Sequence, residues 1–268
     1  ILNFCIRGEA VKNKLDLEAL NYHRNPTAGK ITVTPTKPLA NQHDLSLAYS
    51  PGVAAASMAI VENAEEASNL TSRSNLVGVI SNGTAVLGLG NIGALAAKPV
   101  MEGKAGLFKK FAGINVFDIE IEENNPEKFI EIVAALEPTF GGINLEDIKA
   151  PECFMIEAAL KERMSIPVMH DDQHGTAIIV AAAVLNGLKL VKKNISDIKL
   201  VCSGAGSAAL ACLDLLVKIG VQKERIFVCD IAGVLYEGRR EEINEYNKKY
   251  VQRTDARKLE DVIGEADI

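Results

Sequence analysis

Short apolar runs alternate with longer amphipathic stretches along this chain, and that alternation limits the fold more than any other feature. Strand-like runs separated by helix-periodic sequence bury both faces of a sheet when parallel strands are joined by covering helices. The runs over 76–81, 85–89, 114–121, 166–170, 198–202 and 225–230 read as strands, the last two rich in Val, Ile and Phe. Helices are expected over 126–136, 151–163, 176–190 and 207–219, with Asn125-Pro126 and Ala150-Pro151 as helix starts. The stretch 32–50 carries Pro35 and Pro38 with little period and reads as ordered loop. The expected class is α/β with parallel sheet, and a seam near 164–167 divides it into residues 1–164 and 165–268.

Composition serves mainly to exclude. At 268 residues, 48% hydrophobic and 24% charged, the chain can bury a sizeable core and is not of the disordered or collagen class. A net charge of −6 provides no basic field for a phosphodiester backbone, so no nucleic-acid partner is expected. Five scattered cysteines (Cys5, Cys153, Cys202, Cys212 and Cys229) lack CxxC spacing and read as reduced thiols. The longest charge-free window, 74–97, is interrupted by Asn75, Asn82, Asn91 and five glycines, so no membrane helix is expected there. Arg7, Glu9, Lys12 and Lys14 interrupt any secretory apolar region, making the cytoplasm the expected location.

Two glycine-rich loops compete for a dinucleotide. Gly88-Leu-Gly90-Asn-Ile-Gly93 has the GxGxxG form, and Gly204-Ala205-Gly206-Ser207-Ala208-Ala209 the GxGxxA form. Either could turn tightly and aim backbone amides at a pyrophosphate. Context favours the second. Pro99 falls inside the helix that would follow the first loop, whereas a proline-free helix follows the second and leads to Asp230 at a strand end, near the spacing expected of the ribose-binding acid. Residues 165–268 therefore read as a Rossmann-type doubly wound domain, and the first loop as a structural turn between a strand and a substrate-side helix.

Carboxylates gather at two other strand ends. Glu146 and Asp147 follow the strand-like 141–145, and Asp171 and Asp172 follow 166–170. Acids at the ends of adjacent parallel strands converge on the ligand crevice and suit an oxygen-seeking Mg²⁺ or Mn²⁺. The alternative is that Glu146 and Asp147 are solvated loop acids or a helix cap. The string His170-Asp-Asp-Gln-His174 also raises zinc, but His170 ends a strand and Gly175 follows His174, so the two imidazoles would not share one helix face.

Five strings in one order, 47–54 (LAYSPGVA), 83–93 (GTAVLGLGNIG), 99–104 (PVMEGK), 142–148 (GINLEDI) and 170–177 (HDDQHGTA), resemble bacterial malic enzymes over about 20–268. The likeness is greatest to the long NADP-dependent form, whose phosphotransacetylase-like extension this chain lacks. The resemblance implies an N-terminal malate-binding α/β domain before the Rossmann domain, and oxidative decarboxylation of (S)-malate to pyruvate and CO₂ with reduction of NAD(P). It implies Lys104 as the base on the C2 hydroxyl, Asp171 as its orienting or proton-sharing partner, and Tyr49 as the acid at C3. It implies metal on Glu146, Asp147 and Asp172, and a homodimer or higher homo-oligomer. A lysine serves as base only if its pKa is lowered by burial or nearby positive charge.

Departures from that pattern sharpen the expectations. Animal and plant relatives carry in the first glycine loop an arginine that contacts the substrate carboxylate, and this chain has Ala85 there, so another group must anchor it. Asp230 by itself favours NAD, whereas the resemblance favours NADP, with Arg239 and Arg240 able to meet a 2′-phosphate. Another 2-hydroxyacid dehydrogenase and a non-catalytic nucleotide- or metal-binding regulatory module are the alternatives. Only two clear strands precede Ala266-Asp267-Ile268, which would open another, so the Rossmann domain reads as cut short.

Overall fold

A computed structural model describes residues 13–241 and 243–268. Cys5, Arg7, Glu9 and Lys12 lie outside the described residues. Four short helices come first: α1 (Lys14–Arg24), α2 (Gln42–Ala48), α3 (Val53–Glu62) and α4 (Glu66–Leu70). Asn13 and Asp16 form a capping box on α1, and the Asn41 side chain accepts from the Asp44 backbone N–H at 2.9 Å to start α2. That cap makes helix of part of 32–50, where a loop is expected. None of these four helices has a buried residue.

The first sheet holds β1 (Leu76–Ser81), β2 (Asn115–Glu120), β3 (Gly142–Leu145) and β4 (Val168–His170) in the order β2-β1-β3-β4, all parallel. Helices α5 (Ala94–Leu107), α6 (Pro126–Ala135) and α7 (Glu152–Arg163) make the crossovers. Asn125 caps α6, which lays Phe129, Ile130 and Val133 into a core shared with Leu145, Ile156 and Leu160. The expected strand over 85–89 is instead a turn, with Leu87 at φ 46° and Gly90 at φ 76°. An apolar run whose backbone turns left-handed cannot stay in a ladder. Pro99 sits inside α5 without ending it.

The strand expected to open the second unit pairs with β3 and completes the first sheet. From it the chain passes at once into α8 (Asp171–Val191), five residues before the expected start. Gly175 reads as a breaker in sequence, yet it lies within the helix for a packing reason. A Cβ there would stand 2.2 Å from Asp171 Oδ1, so the missing side chain makes room for that carboxylate and offsets a helix-propensity cost of about 1 kcal/mol.

In the second sheet, β5 (Leu200–Ser203) pairs in parallel with β6 (Ile226–Asp230), and β7 (Gly233–Val234) runs antiparallel to β6. Helices α8 and α9 (Ser207–Lys218) pack Ala181, Val184, Leu188, Leu210, Leu213 and Leu216 onto it. Residues 267–268 run beside β5: Val201 N–H donates to the Ile268 carbonyl, and Asp267 N–H to the Lys199 carbonyl, both at 2.9 Å. Two stretches, Gln42–Glu62 and Asp171–Val191, are long and apolar enough by length and composition to cross a membrane. The first is interrupted between α2 and α3, and the second is the helix that packs on the second sheet.

Candidate active site

Neighbouring parallel strands end side by side, and here that brings two acidic pairs together. Glu146 and Asp147 leave β3, and Asp171 and Asp172 leave β4 into α8. One ligand oxygen each from Glu146, Asp147 and Asp172 lies within 4.8 Å of the others. Glu146 and Asp147 are 5% exposed, so they are not solvated loop acids, and α7 starts after Pro151 with no side-chain cap. Asp147 holds φ 54°, an uncommon conformation for a side chain other than glycine, and its N–H donates to Asp172 Oδ2 at 2.9 Å. Its Oδ2 is buried without a hydrogen-bond partner among the described residues.

Burial pushes the Glu146 carboxyl up to about 7, with Asp172 and Asp171 adding to the rise against the pull of Lys104. Burial likewise takes Asp147 up to about 6, with Asp172 contributing. Crowded, dry carboxylates with an unused oxygen are what a hard divalent cation relieves, so the residues fit Mg²⁺ or Mn²⁺. The two histidines do not join them. His170 is fully buried, 3.8 Å from Asp172, and His174, expected to bond at the helix start, meets Glu157 of α7 at 2.7 Å.

Lys104 reaches the same place from the last turn of α5. Its Nζ lies 2.5 Å from Asp171 Oδ2 and 3.1 Å from Glu146 Oε1. Burial acts to lower its pKa, but those two carboxylates outweigh it and the net direction is upward. This corrects the expectation of a lowered value, because Asp171 and Glu146 both favour the ammonium form.

The first glycine loop builds the wall of this cleft. Gly83 takes φ 67°, its carbonyl accepts from Ile92 and Gly93 at 3.1 and 3.2 Å, and Ala85 N–H donates to the Asp147 carbonyl at 3.0 Å. A Cβ on Gly83 would lie 2.2 Å from the Gly93 oxygen. Gly83→Ala should therefore cost at least about 1–3 kcal/mol, read as a fall in Tm; an unchanged Tm would contradict the close approach.

The second glycine loop lies at the next sheet. Gly204 takes φ 126°, and Gly204–Gly206 line a pocket of about 430 Å³ with Asp230, Ile231, Pro151, Asn244 and Asn247. Ser207 lines the carboxylate cleft of about 840 Å³, so the loop leads from one cavity to the other. Ala208 and Ala209 lie in the first turn of α9 and line neither. Asp230 is taken up by Arg239, 3.1 Å from Nη1 and closer to Nη2, and accepts from Ala232 N–H at 2.8 Å. Burial opposes ionisation there, but Arg239 leaves Asp230 below the usual carboxylate range. Arg240 is exposed.

Tyr49 is not brought to the cleft. It is 73% exposed between α2 and α3 and is absent from the cleft lining. Conversely, His23 and Lys30 line the cleft, with no local motif in the sequence to mark them.

Residues 28–127 and 122–161 match the malic enzyme N-terminal domain, and residues 173–267 the malic enzyme NAD-binding domain. The chain is 64% identical over 257 residues to the NADP-dependent malic enzyme of Escherichia coli K12, covering 96% of this chain and 34% of that protein. It is 63% identical to the NAD-dependent malic enzyme of Rhizobium meliloti 1021, covering 95% of this chain and 33% of that protein. The chain thus spans about a third of the length of these curated relatives. Among solved structures, the NAD-dependent malic enzyme of Thermotoga maritima superposes with a TM-score of 0.85 at 43% identity, over 96% of this chain and 67% of that one. With both domain families matched in order across sheets that carry the two glycine loops, the chain belongs to the malic enzyme family.

Proposed function

We propose that this chain carries the malate- and cofactor-binding parts of an enzyme that converts (S)-malate to pyruvate and CO₂ while reducing a nicotinamide dinucleotide. The observation that carries the reading is Lys104 Nζ between Asp171 and Glu146, beside the carboxylate triad, in a cleft that reaches Ser207 of the second glycine loop. Mg²⁺ or Mn²⁺ held by Glu146, Asp147 and Asp172 supplies Lewis-acid polarisation of the substrate's C2 oxygen. A dinucleotide held by residues 204–209 and Asp230 supplies the hydride acceptor. The first unit is proposed to run to the end of β4, slightly past the seam expected near 164–167.

Lys104 takes the C2 hydroxyl proton in this scheme, and Asp171 is the group to which it passes its own proton beforehand. Glu146, one of the two anions that raise Lys104, is also one of the residues that would hold the cation, and a charge held there would favour the neutral, basic form of the lysine. The assay is the appearance of reduced nicotinamide with malate and Mn²⁺, using the complete polypeptide. Cofactor binding without any turnover would favour a regulatory module.

NADP is the proposed cofactor. Arg239 neutralises Asp230 at the pocket, which removes the repulsion that an unpaired aspartate would exert on a 2′-phosphate, and Arg240 stands exposed beside it. A higher kcat/KM for NADP than for NAD is the expected result, and the reverse order would overturn it.

Tyr49 protonates C3 in this reading, and a second copy of the chain is proposed to receive it. The helices around it expose Leu45, Leu47, Met58 and Val61, an apolar surface that calls for cover. A dimer that docks this face would carry Tyr49 to the partner's cleft. Tyr49→Phe and Lys104→Ala should each be nearly inactive, and mixing them through dissociation and reassociation should restore about a quarter of wild-type activity, because half the dimers are mixed and one site in each is whole. No restoration would place Tyr49 in its own chain's site.

A further inference from the structure

The cleft contains a second ammonium group that the scheme above leaves unused. Lys30 precedes Lys104 by many residues, yet its Nζ rests against α5, donating to the Pro99 carbonyl at 2.6 Å and to His23 Nε2 at 2.7 Å. A Cβ on Gly103, the neighbour of Lys104, would stand 3.7 Å from that Nζ. The Lys30 backbone N–H donates to Glu102 Oε2 at 2.8 Å, and Gly29, at φ 84°, passes so near Glu102 that a Cβ would stand 3.1 Å from the same oxygen. The segment is thus tied to the helix that carries Lys104.

The hydrogen-bond pattern leaves the charge of Lys30 uncompensated. His23 Nδ1 is 2.8 Å from the Ala19 carbonyl, which can only accept, so the ring hydrogen is assigned to Nδ1 and Nε2 is the acceptor for Lys30. Two of the three ammonium hydrogens therefore go to neutral atoms. Among the described residues no carboxylate lies within ion-pair distance of Lys30, whereas Lys104 in the same cleft has two. A half-buried cation that is positioned but unpaired is a site for an anionic ligand.

We propose that Lys30 is the cationic anchor for the substrate carboxylate that stays in the product, a role resting on the malate reading above. The argument is one of charge. Glu146, Asp147 and Asp172 line the cleft, Lys104 is already shared between Glu146 and Asp171, and Ala85, also in the lining, has no charge. A dianionic substrate entering there needs positive charge beyond a divalent ion. A cation set on the departing carboxylate would stabilise the anion that has to become neutral CO₂ and would oppose its loss; one set on the retained carboxylate binds ground state and transition state alike. Lys30 is therefore a binding residue whose loss raises KM more than it lowers kcat.

Lys30→Ala and Lys30→Arg in the complete polypeptide test this by isothermal titration with Mg²⁺ alone, and with malate or oxalate in the presence of Mg²⁺. Oxalate retains the carboxylate and adjacent oxygen of the product end and has no departing group. Lys30→Ala should weaken malate and oxalate by about 10- to 100-fold, leave Mg²⁺ affinity and the cofactor KM unchanged, and be partly rescued by Lys30→Arg. Unchanged malate affinity overturns the proposal. Equal loss of Mg²⁺ affinity also overturns it, because Lys30 would then only support the cleft, and loss for malate but not oxalate overturns the assignment to the retained carboxylate. A wild-type protein that neither binds nor oxidises malate removes the reading beneath it, an outcome visible before any variant is made.

Discussion

Lys104→Ala should lower kcat by about 10²- to 10⁴-fold, the range that a positioned proton acceptor contributes. Lys104 is the cation that bridges the two strand ends, at 2.5 Å from Asp171 and 3.1 Å from Glu146. Its removal withdraws a positive charge from the crowded carboxylates, so Mg²⁺ should bind the variant at least as tightly as it binds wild type. That pairing of a large kcat loss with retained metal separates a proton-transfer role from a structural one. Lys104→Arg should not rescue the rate, because a guanidinium keeps the charge and cannot release its proton near neutral pH. Turnover within tenfold of wild type in Lys104→Ala would remove the lysine from the reaction.

Metal-free protein should lose stability as pH rises through neutrality, and Mg²⁺ or Mn²⁺ should restore it. Burial holds Glu146 at about 7 against an ordinary value of 4.5, so the folded chain prefers the protonated acid. The stability this confers is fully present below about 4.5 and is lost as pH passes about 7. The complete loss for this one group is on the order of 3 kcal/mol, of which about 1 kcal/mol falls between pH 6.5 and 8. Below 6.5 the linkage of buried His170, whose value is lowered, has the opposite sign, so the upper window is the informative one. Thermal unfolding at both pH values should show a larger Tm gain from Mg²⁺ at pH 8. The gain should vanish in Asp172→Asn, which removes a charged member of the triad. A gain equal at both pH values would show that the carboxyls are not the groups being relieved.

Local chemistry made much of this molecule legible. The strand over 76–81 has the bounds observed, and 225–230 differs by one residue, because a fully buried parallel strand needs a continuous run of apolar and branched side chains whatever surrounds it. The run at 85–89 has similar composition and failed as a strand. Its neighbouring glycines permit left-handed backbone, and the turn they form is held by hydrogen bonds to Gly83 and Asp147, partners no local window shows. The start of α8 was hidden for a related reason: Gly175 argues against helix until the Asp171 carboxylate that fills its vacant side-chain space is seen.

The α/β class, both glycine loops, the acids at two strand ends and the family likeness each depend on residue type and short spacing, and so can be read along the chain. Which of those residues meet is settled by packing. The order β2-β1-β3-β4 sets Glu146 and Asp147 beside Asp171 and Asp172, and the crossover through α5 delivers Lys104 to them. The same packing ties Lys30 to α5 and leaves Tyr49 outside the cleft. Contacts between residues tens of positions apart follow from sheet order and helix docking, which arise from the summed burial of many side chains and are written in no single motif.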